Sequence, residues 1–460
     1  MLKIARYKDW LIFGLILLLG CGLRYYQYGQ FPIAGETLDE YAWSTLGASL
    51  IEQHYPASWS AFHAYSQKQT GYFYRGWPIV APSLDHPPLF AFLPGFFHAV
   101  TTDWWQIPSI IAIRFPMIGL GGLNLLLFCL ISRRYLTSPW SYLAGVIYGV
   151  APLVVFSSRL ALAENFLQTI LLMFILLAGK NLVKKLPWLL TLLATVAVLT
   201  KVAGLILPLA IISWYLWQNQ RRPVMYVVAG IGLGLIIWLC YGLMIDAPLF
   251  WAVQVSQGAR DIGLTTLINR WLLHPALIRN FYFDGWWYLG WVGLFASIMG
   301  LIKNKTDRLY PLLTLTVAFL VWHTLFIMLS VGESTFHGWY DFTILPIIIW
   351  WGVYFLQLIW RSKTYLVWWL VWLLLLPGLR WTISFYLPLP ELSSGLTRLI
   401  IGLGLLPFLV AKFTRRDLWA QTAMLLLLGL ILVYSVLTVI NMNDRIYSEF
   451  DTFYLPHRFN

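Results

Sequence analysis

Apolar runs separated by short basic clusters recur along the chain, near residues 10–27, 109–131, 138–157, 163–179, 186–199, 203–217, 224–245, 286–302, 309–329, 340–358, 365–379, 398–411 and 419–440. A helix needs roughly 20 apolar residues to cross a bilayer, so this pattern predicts an all-α polytopic membrane protein with about thirteen transmembrane helices. The run over 186–217 is interrupted by Lys201. As one helix it would be about 48 Å long against a hydrocarbon core of about 30 Å, so two short spans turning at "TKVAG" fit better. Two segments between runs are long, 28–108 and 246–285, and a tail follows at 441–460. The whole of 1–460 reads as a single transmembrane domain, without repeats or an appended soluble domain.

Composition agrees with this reading. The 460 residues are 60% hydrophobic and only 11% charged. Trp, Tyr and Phe number 26, 25 and 28, as expected where aromatic belts mark the two interfaces. The net charge of +12 does not point to nucleic acid, because Lys and Arg are scattered in short clusters between apolar runs. That pattern is positive-inside topology. With a cytoplasmic N-terminus, 18 of the 31 basic residues fall in the short cytoplasmic segments, and 16 of the 19 acidic residues fall on the other side. The long loops and the tail are thus expected outside. Cys21, Cys129 and Cys240 lie within apolar runs and offer neither a disulfide framework nor a metal spacing. The run after "MLKIARYKDW" lacks a small-residue cleavage site and reads as a retained first span.

Five polar stretches fall on the outer side. In "TLDEYAWSTLGASLIEQ", Thr37 and Glu40 form a capping-box pattern. Trp43, Leu46 and Leu50 then predict an amphipathic helix lying along the interface. The cap accounts for Glu40 and leaves Asp39 unexplained. In "SLDHPPLFAFLPG", two prolines stiffen the chain after Asp85 and His86, although a plain turn would look the same. "SSRLALAENF" sets Arg159 and Glu164 in a short turn, as a simple rim ion pair or as something more. Lys201 turns between two short spans, where snorkelling to water is the ordinary reading and function the alternative. "VGESTFHGWYDFTILP" brings His337, Tyr340 and Asp341 to the start of a late span.

Carboxylates and cations mixed on one face of one bundle suit displacement at a sugar C1 carried on a lipid phosphate. The anionic leaving group asks for Lys or Arg. The attacking hydroxyl or amine asks for a carboxylate to take its proton.

In this order the stretches resemble the membrane glycosyltransferases of the protein O-mannosyltransferase and aminoarabinose–lipid A transferase superfamily, of GT-C fold. The resemblance rests on Asp39-Glu40 followed by "YA", on His86 to Leu89 ("HPPL"), on Arg159 with Glu164, on Thr200-Lys201, and on Tyr340 with Leu345-Pro346. It implies a polyprenyl-phosphate-sugar-dependent hexosyl- or pentosyltransferase that inverts C1. The acceptor would be a lipid, glycan or protein hydroxyl or amine. Asp39 would be the catalytic base, with Glu40 supporting it. Asp85, His86, Arg159, Glu164, Lys201, His337 and Tyr340 would bind the donor phosphate and sugar. No metal is obligatory, although Asp39, Asp85 and Glu164 could gather a divalent cation. His86 stands where some lipid A-modifying relatives carry Lys, which weakens the aminoarabinose reading. The implied location is the plasma membrane of a bacterium or archaeon, with the active site on the outer face. The competing class is a transporter or lipid-sugar flippase. Those place polar residues at the bilayer midplane on broken helices, often with inverted repeats; here the ionisable residues lie at span ends.

Overall fold

The computed structural model describes residues 2–35, 37–60, 62–73, 77–178, 186–259, 285–301, 307–330, 338–363, 365–376, 379, 383, 390–414 and 417–441. Helices stand where the apolar runs predict them. α1 (Leu2–Tyr25) leads into the first long loop, which carries α2 (Asp39–Gln53), β1 (Ser58–Trp59), β2 (Gln69–Phe73), β3 (Trp77–Val80) and α3 (Phe92–Ala99). Then come α4 (Ile110–Tyr135), α5 (Ser138–Val150), α6 (Pro152–Ser157), α7 (Ala163–Ala178), α8 (Trp188–Thr200), α9 (Ile206–Trp217) and α10 (Arg221–Gly258). The remainder is α11 (Trp286–Leu301), α12 (Tyr310–Ser330), α13 (Leu345–Ser362), α14 (Tyr365–Leu375), α15 (Pro390–Leu403), α16 (Leu406–Thr414) and α17 (Asp417–Asn441). The small antiparallel sheet, in the order β1-β3-β2, was not expected. Its strands are too short, and too irregular between Gln69 and Gly71, to leave a period-two signature.

Among the described residues, six helices are long and apolar enough to cross a membrane, or seven if the α5–α6 pair, bent by 53°, is one span. The chain is an integral membrane protein. Other apolar runs form shorter helices among the described residues, Ala163–Ala178, Trp188–Thr200 and Val202–Trp217. At 1.5 Å per residue α8 and α9 each reach only about 20 Å. α10 is broken at residue 246, where the second long segment starts. α10 continues through 246–258 across a kink at Asp246 (φ −160°, ψ 91°), and residues 260–284 lie outside the described part.

The break in the 186–217 run is real. Lys201 is extended (φ −165°, ψ 149°) between α8 and a 3-10 turn, Val202–Leu205. The chain then folds back so closely that a Cβ on Gly204 would stand 1.9 Å from the Ala197 carbonyl oxygen. Glycine is what lets "TKVAG" reverse in so little space.

Buried arginines hold the first long loop to the bundle. Arg159 donates from Nε to the Arg24 carbonyl (3.2 Å), from Nη1 to Phe31 (2.8 Å) and from Nη2 to Leu23 (2.6 Å) and Tyr26 (2.7 Å). These carbonyls belong to the last turn of α1 and the chain just beyond it, where helical partners run out. Arg24 donates to the carbonyls of Gly20, Tyr148 and Gly149, joining α1 to α5. Arg114, early in α4, forms a bidentate pair with Glu40, Nε to Oε1 at 2.8 Å and Nη2 to Oε2 at 2.6 Å, with both side chains fully buried. Its Nη1 donates to the carbonyls of Tyr28 (3.2 Å) and Pro32 (2.5 Å).

α2 is therefore no interfacial helix with one wet face. Its buried residues, Glu40, Tyr41 and Trp43 through Ser49, surround the axis. Trp43 and Leu46 pack with Phe90, Met117 and Leu120. α2 crosses α3 at two glycines, where a Cβ on Gly47 would stand 2.0 Å from the Ala91 oxygen and one on Gly95 2.4 Å from Gly47 Cα.

Removing one partner of a buried pair leaves a charge uncompensated. Glu40→Gln or Arg114→Ala should destabilise the protein by about 3–5 kcal/mol, whereas replacing both residues with Met should restore much of that loss. Thermal unfolding in detergent checks this. A single variant as stable as the parent would show that the pair does not hold α2.

Candidate functional site

Lys201 is the centre of the site. Its Nζ donates to Glu164 Oε1 at 2.6 Å and lies over the Tyr340 ring, 4.9 Å from the centroid. Asp39 is the third group whose charge acts on this ammonium. Each partner comes from a different element. Glu164 sits in the first turn of α7, where the positive end of a helix stabilises a carboxylate. Asp39 is the first residue of α2, half-buried, with its backbone N–H donating to Thr37 Oγ1 at 3.2 Å. Tyr340 comes from a 3-10 segment, Gly338–Ile344, which Gln168 of α7 ties down by donating to the Phe342 carbonyl at 2.6 Å.

His86 approaches from the first long loop. Its ring stacks on Trp43, with centroids 5.2 Å apart and planes 22° from parallel. Three residues on, the Leu89 N–H donates to the Leu199 carbonyl at 3.2 Å, which lays "HPPL" against the end of α8 just before Lys201. Beside Glu164 a small cavity of about 20 Å³, room for one or two waters, lies between α7, α9 and α12. Glu164, Tyr340 and His323 line one part of it and Leu207, Phe319 and Phe326 another.

Three expected site residues stand elsewhere, and a fourth lies outside the described residues. Glu40 is neither a cap nor open to a substrate, because both its oxygens bind Arg114 and Oε1 also accepts the Ala161 N–H at 2.9 Å. A bidentate guanidinium binds the carboxylate more strongly than one helical N–H could. Arg159 faces main-chain carbonyls with all three of its nitrogens and is a clasp on α1, not a phosphate ligand. Asp85 accepts from Ser60 Oγ at 2.9 Å and from the Tyr65 hydroxyl, while its own carbonyl accepts from Gln257 of α10 at 2.6 Å. Burial and the adjacent Asp85 push the Tyr65 phenol well above its ordinary pKa, so it stays the donor of that bond. His337 lies outside the described residues.

Among the described residues, no group of three His, Cys, Asp or Glu side chains could hold a metal ion.

Two residues went unnoticed in the sequence. Arg114 lies five residues into a predicted span, and His323 in mid-span within "LVWHTLF". Ionisable groups at such positions are costly and therefore informative. His323 Nε2 donates to the Tyr340 carbonyl at 3.0 Å and stands 3.9 Å from Asp341 Oδ1.

These features define a membrane bundle with a loop-borne carboxylate, a buried ammonium and a tyrosine at one end. Residues 85–245 match the dolichyl-phosphate-mannose-protein mannosyltransferase family. No curated protein matches the chain by sequence. The crystal structure of ArnT from Cupriavidus metallidurans bound to undecaprenyl phosphate superposes with a TM-score of 0.53 at 13% identity, over 94% of this chain and 76% of that one. The apo state of the same protein gives 0.52, also at 13% identity, over 95% and 77%. The Archaeoglobus fulgidus oligosaccharyltransferase gives 0.51 at 10% identity, over 78% of this chain and about half, 51%, of that one. The fold is the GT-C fold that the motifs imply.

Hydrogen bonds from a charged donor contribute about 1.5–3 kcal/mol each, and Arg159 makes four. Arg159→Ala should cost at least about 3 kcal/mol of stability and lower the yield of folded protein. A variant of normal melting temperature that had lost only donor binding would return Arg159 to the reaction centre.

Proposed function

We propose that the protein transfers a sugar from a polyprenyl-phosphate-linked donor to the hydroxyl or amine of a lipid, glycan or protein acceptor, at the outer face of the membrane and with inversion at C1. The observation that carries this reading is the meeting of Lys201, Glu164 and Tyr340, with the Asp39 carboxylate near enough for its charge to act on the ammonium. The GT-C fold and the family match across 85–245 support it. The undecaprenyl phosphate bound by ArnT supports the donor class.

Charge assigns the roles. An ammonium has three N–H donors, and Glu164 Oε1 takes one. The others serve the departing phosphate, whose negative charge grows as the C1–O bond breaks. Asp39, at the exposed side of the cluster, accepts the proton of the attacking hydroxyl or amine, while the acceptor oxygen or nitrogen forms the new bond to C1. His86 flanks the phosphate as a weaker partner, because a neutral imidazole stabilises an anion less than a fixed cation does. Glu164 holds Lys201 in place and faces the sugar.

Membranes incubated with a panel of radiolabelled polyprenyl-phosphate sugars should transfer label from one of them. Asp39→Asn keeps the shape and removes the base, so kcat should fall by roughly 10²-fold or more with little change in melting temperature. Lys201→Gln should chiefly weaken donor binding. If both variants turned over normally, the cluster would not be the reaction centre. Cysteine placed at the exposed Ser66 should react with impermeant reagents from outside intact cells; labelling from the cytoplasmic side would invert the proposed face.

A further inference from the structure

Tyr340 stands on a kind of segment that seldom holds its own shape. The 3-10 run Gly338–Ile344 is seven residues long. Runs beyond about three or four residues are uncommon, because 3-10 hydrogen bonds are poorly aligned. Two buried side chains reach the main chain of this run from different helices. From α7, Gln168 Nε2 donates to the Phe342 carbonyl at 2.6 Å. From α12, His323 Nε2 donates to the Tyr340 carbonyl at 3.0 Å. Asp341 Oδ1, 3.9 Å from the same nitrogen, favours the tautomer with its proton there. Gln168 is itself anchored. Its Oε1 accepts from the Tyr148 hydroxyl at 2.7 Å and from Asn124 Nδ2 at 3.0 Å, and Asn124 Oδ1 accepts from Thr169 Oγ1 at 2.7 Å. All of these side chains are buried. The hydrocarbon offers no water to replace a lost partner, so such a network is rigid because its members satisfy one another.

We propose that His323 and Gln168 are positioning residues, which hold the Tyr340 ring over the Lys201 ammonium and so set the affinity of the site for a lipid phosphate. The inference rests on the proposed transferase reading and adds to it two residues that act through the main chain rather than on the substrate. One support meets Tyr340 itself and the other meets Phe342, so the tyrosine is gripped at its own carbonyl and just beyond it. Gln168 lies one turn beyond Glu164 on the same face of α7. One helix therefore carries both the carboxylate that pairs with Lys201 and the amide that steadies the ring above it. The ring centroid is 4.9 Å from Nζ. The attraction of a cation to a ring face extends to about 6 Å, so a displacement of about 1 Å forfeits much of it. Between desolvated groups this contact is worth about a tenfold change in affinity. A network that served only the bundle could end on any carbonyl of the late helices. Here both supports end on the segment that bears the site's tyrosine.

Purified protein in detergent is titrated with undecaprenyl phosphate, and the melting temperature is followed in parallel. His323→Leu and Gln168→Leu each remove one support. His323 comes from α12 rather than from the Asn124–Gln168 network, so a failure of the Gln168 variant to fold leaves the other. Both variants should bind the lipid phosphate about tenfold more weakly than the parent. His323→Gln keeps an N–H within reach of the Tyr340 carbonyl and should restore binding to within about threefold of the parent. In a Tyr340→Leu background, His323→Leu should weaken binding by no more than about twofold further, because the ring it positions is gone. Full additivity of the two losses would make His323 a general support of the bundle and overturn the inference. Parental affinity in both single variants would overturn it too. A parent that bound no undecaprenyl phosphate would sink the transferase reading itself. A parent that bound it, beside a His323→Leu variant of equal affinity, would sink the positioning role alone, which separates the two failures.

Discussion

The structure depends on satisfying main-chain carbonyls where helices end in a medium with no water to offer. α1 stops at Tyr25, and the chain that follows turns through residues whose carbonyls have no helical donor. Arg159 reaches from the α6–α7 turn to bind four of these carbonyls, and Arg114 reaches from α4 to bind three more, those of Tyr28, Pro32 and Ile33. A guanidinium suits this work because its five N–H groups spread in a plane and its charge strengthens every bond. The two arginines fasten one stretch, residues 23–33, to three different helices. That stretch leads directly into α2, so Asp39 stands where these clasps put it. Glu40, its neighbour, is bound to the same Arg114.

Adjacent carboxylates thus have divided tasks. Glu40 points inward, is wholly buried, and has a guanidinium and a main-chain N–H as partners. Asp39, one position earlier in the same helical turn, keeps partial exposure. The α2–α3 crossing at Gly47 and Gly95 lets the first long loop pack close to the bundle. The Leu89–Leu199 bond joins that loop to the end of α8, two residues from Lys201. Because both flanks of the loop are fixed, the loop carboxylate lies near enough for its charge to act on the bundle ammonium.

Most helices were legible from apolar runs, because burial in lipid and burial in protein both demand apolar side chains. For that same reason the runs do not say which helices cross. The 186–217 run could be resolved because Lys201 and Gly204 sit at its turn, and charge and backbone freedom are both visible in a sequence. The roles of the polar residues were only half legible. Lys201, Glu164, Tyr340 and Asp39 were found as types on one face, and they do converge. Arg159 and Glu40 were chosen by the same reasoning and proved structural. A buried arginine clasping carbonyls and one awaiting a phosphate are identical in the sequence, since the carbonyls belong to every residue. The capping-box pattern at Thr37 and Glu40 misled for a related reason. It is a local signal, and Arg114, 74 residues away, offers Glu40 more than the helix start does.

The Lys201–Glu164 pair shows why a buried cation needs a carboxylate beside it. An ammonium this deep would lose its proton or resist burial if it stood alone. Glu164 keeps it charged, but through only one of two oxygens, and the Tyr340 ring offers a face that attracts a cation without taking a proton from it. The ammonium is thereby held charged with donors to spare, rather than quenched by a full set of carboxylate bonds. Replacing Tyr340 by a second acid would bind Lys201 more tightly and leave less of its charge uncompensated. The aromatic face is what allows the pair to be stable at rest and still available to an anion.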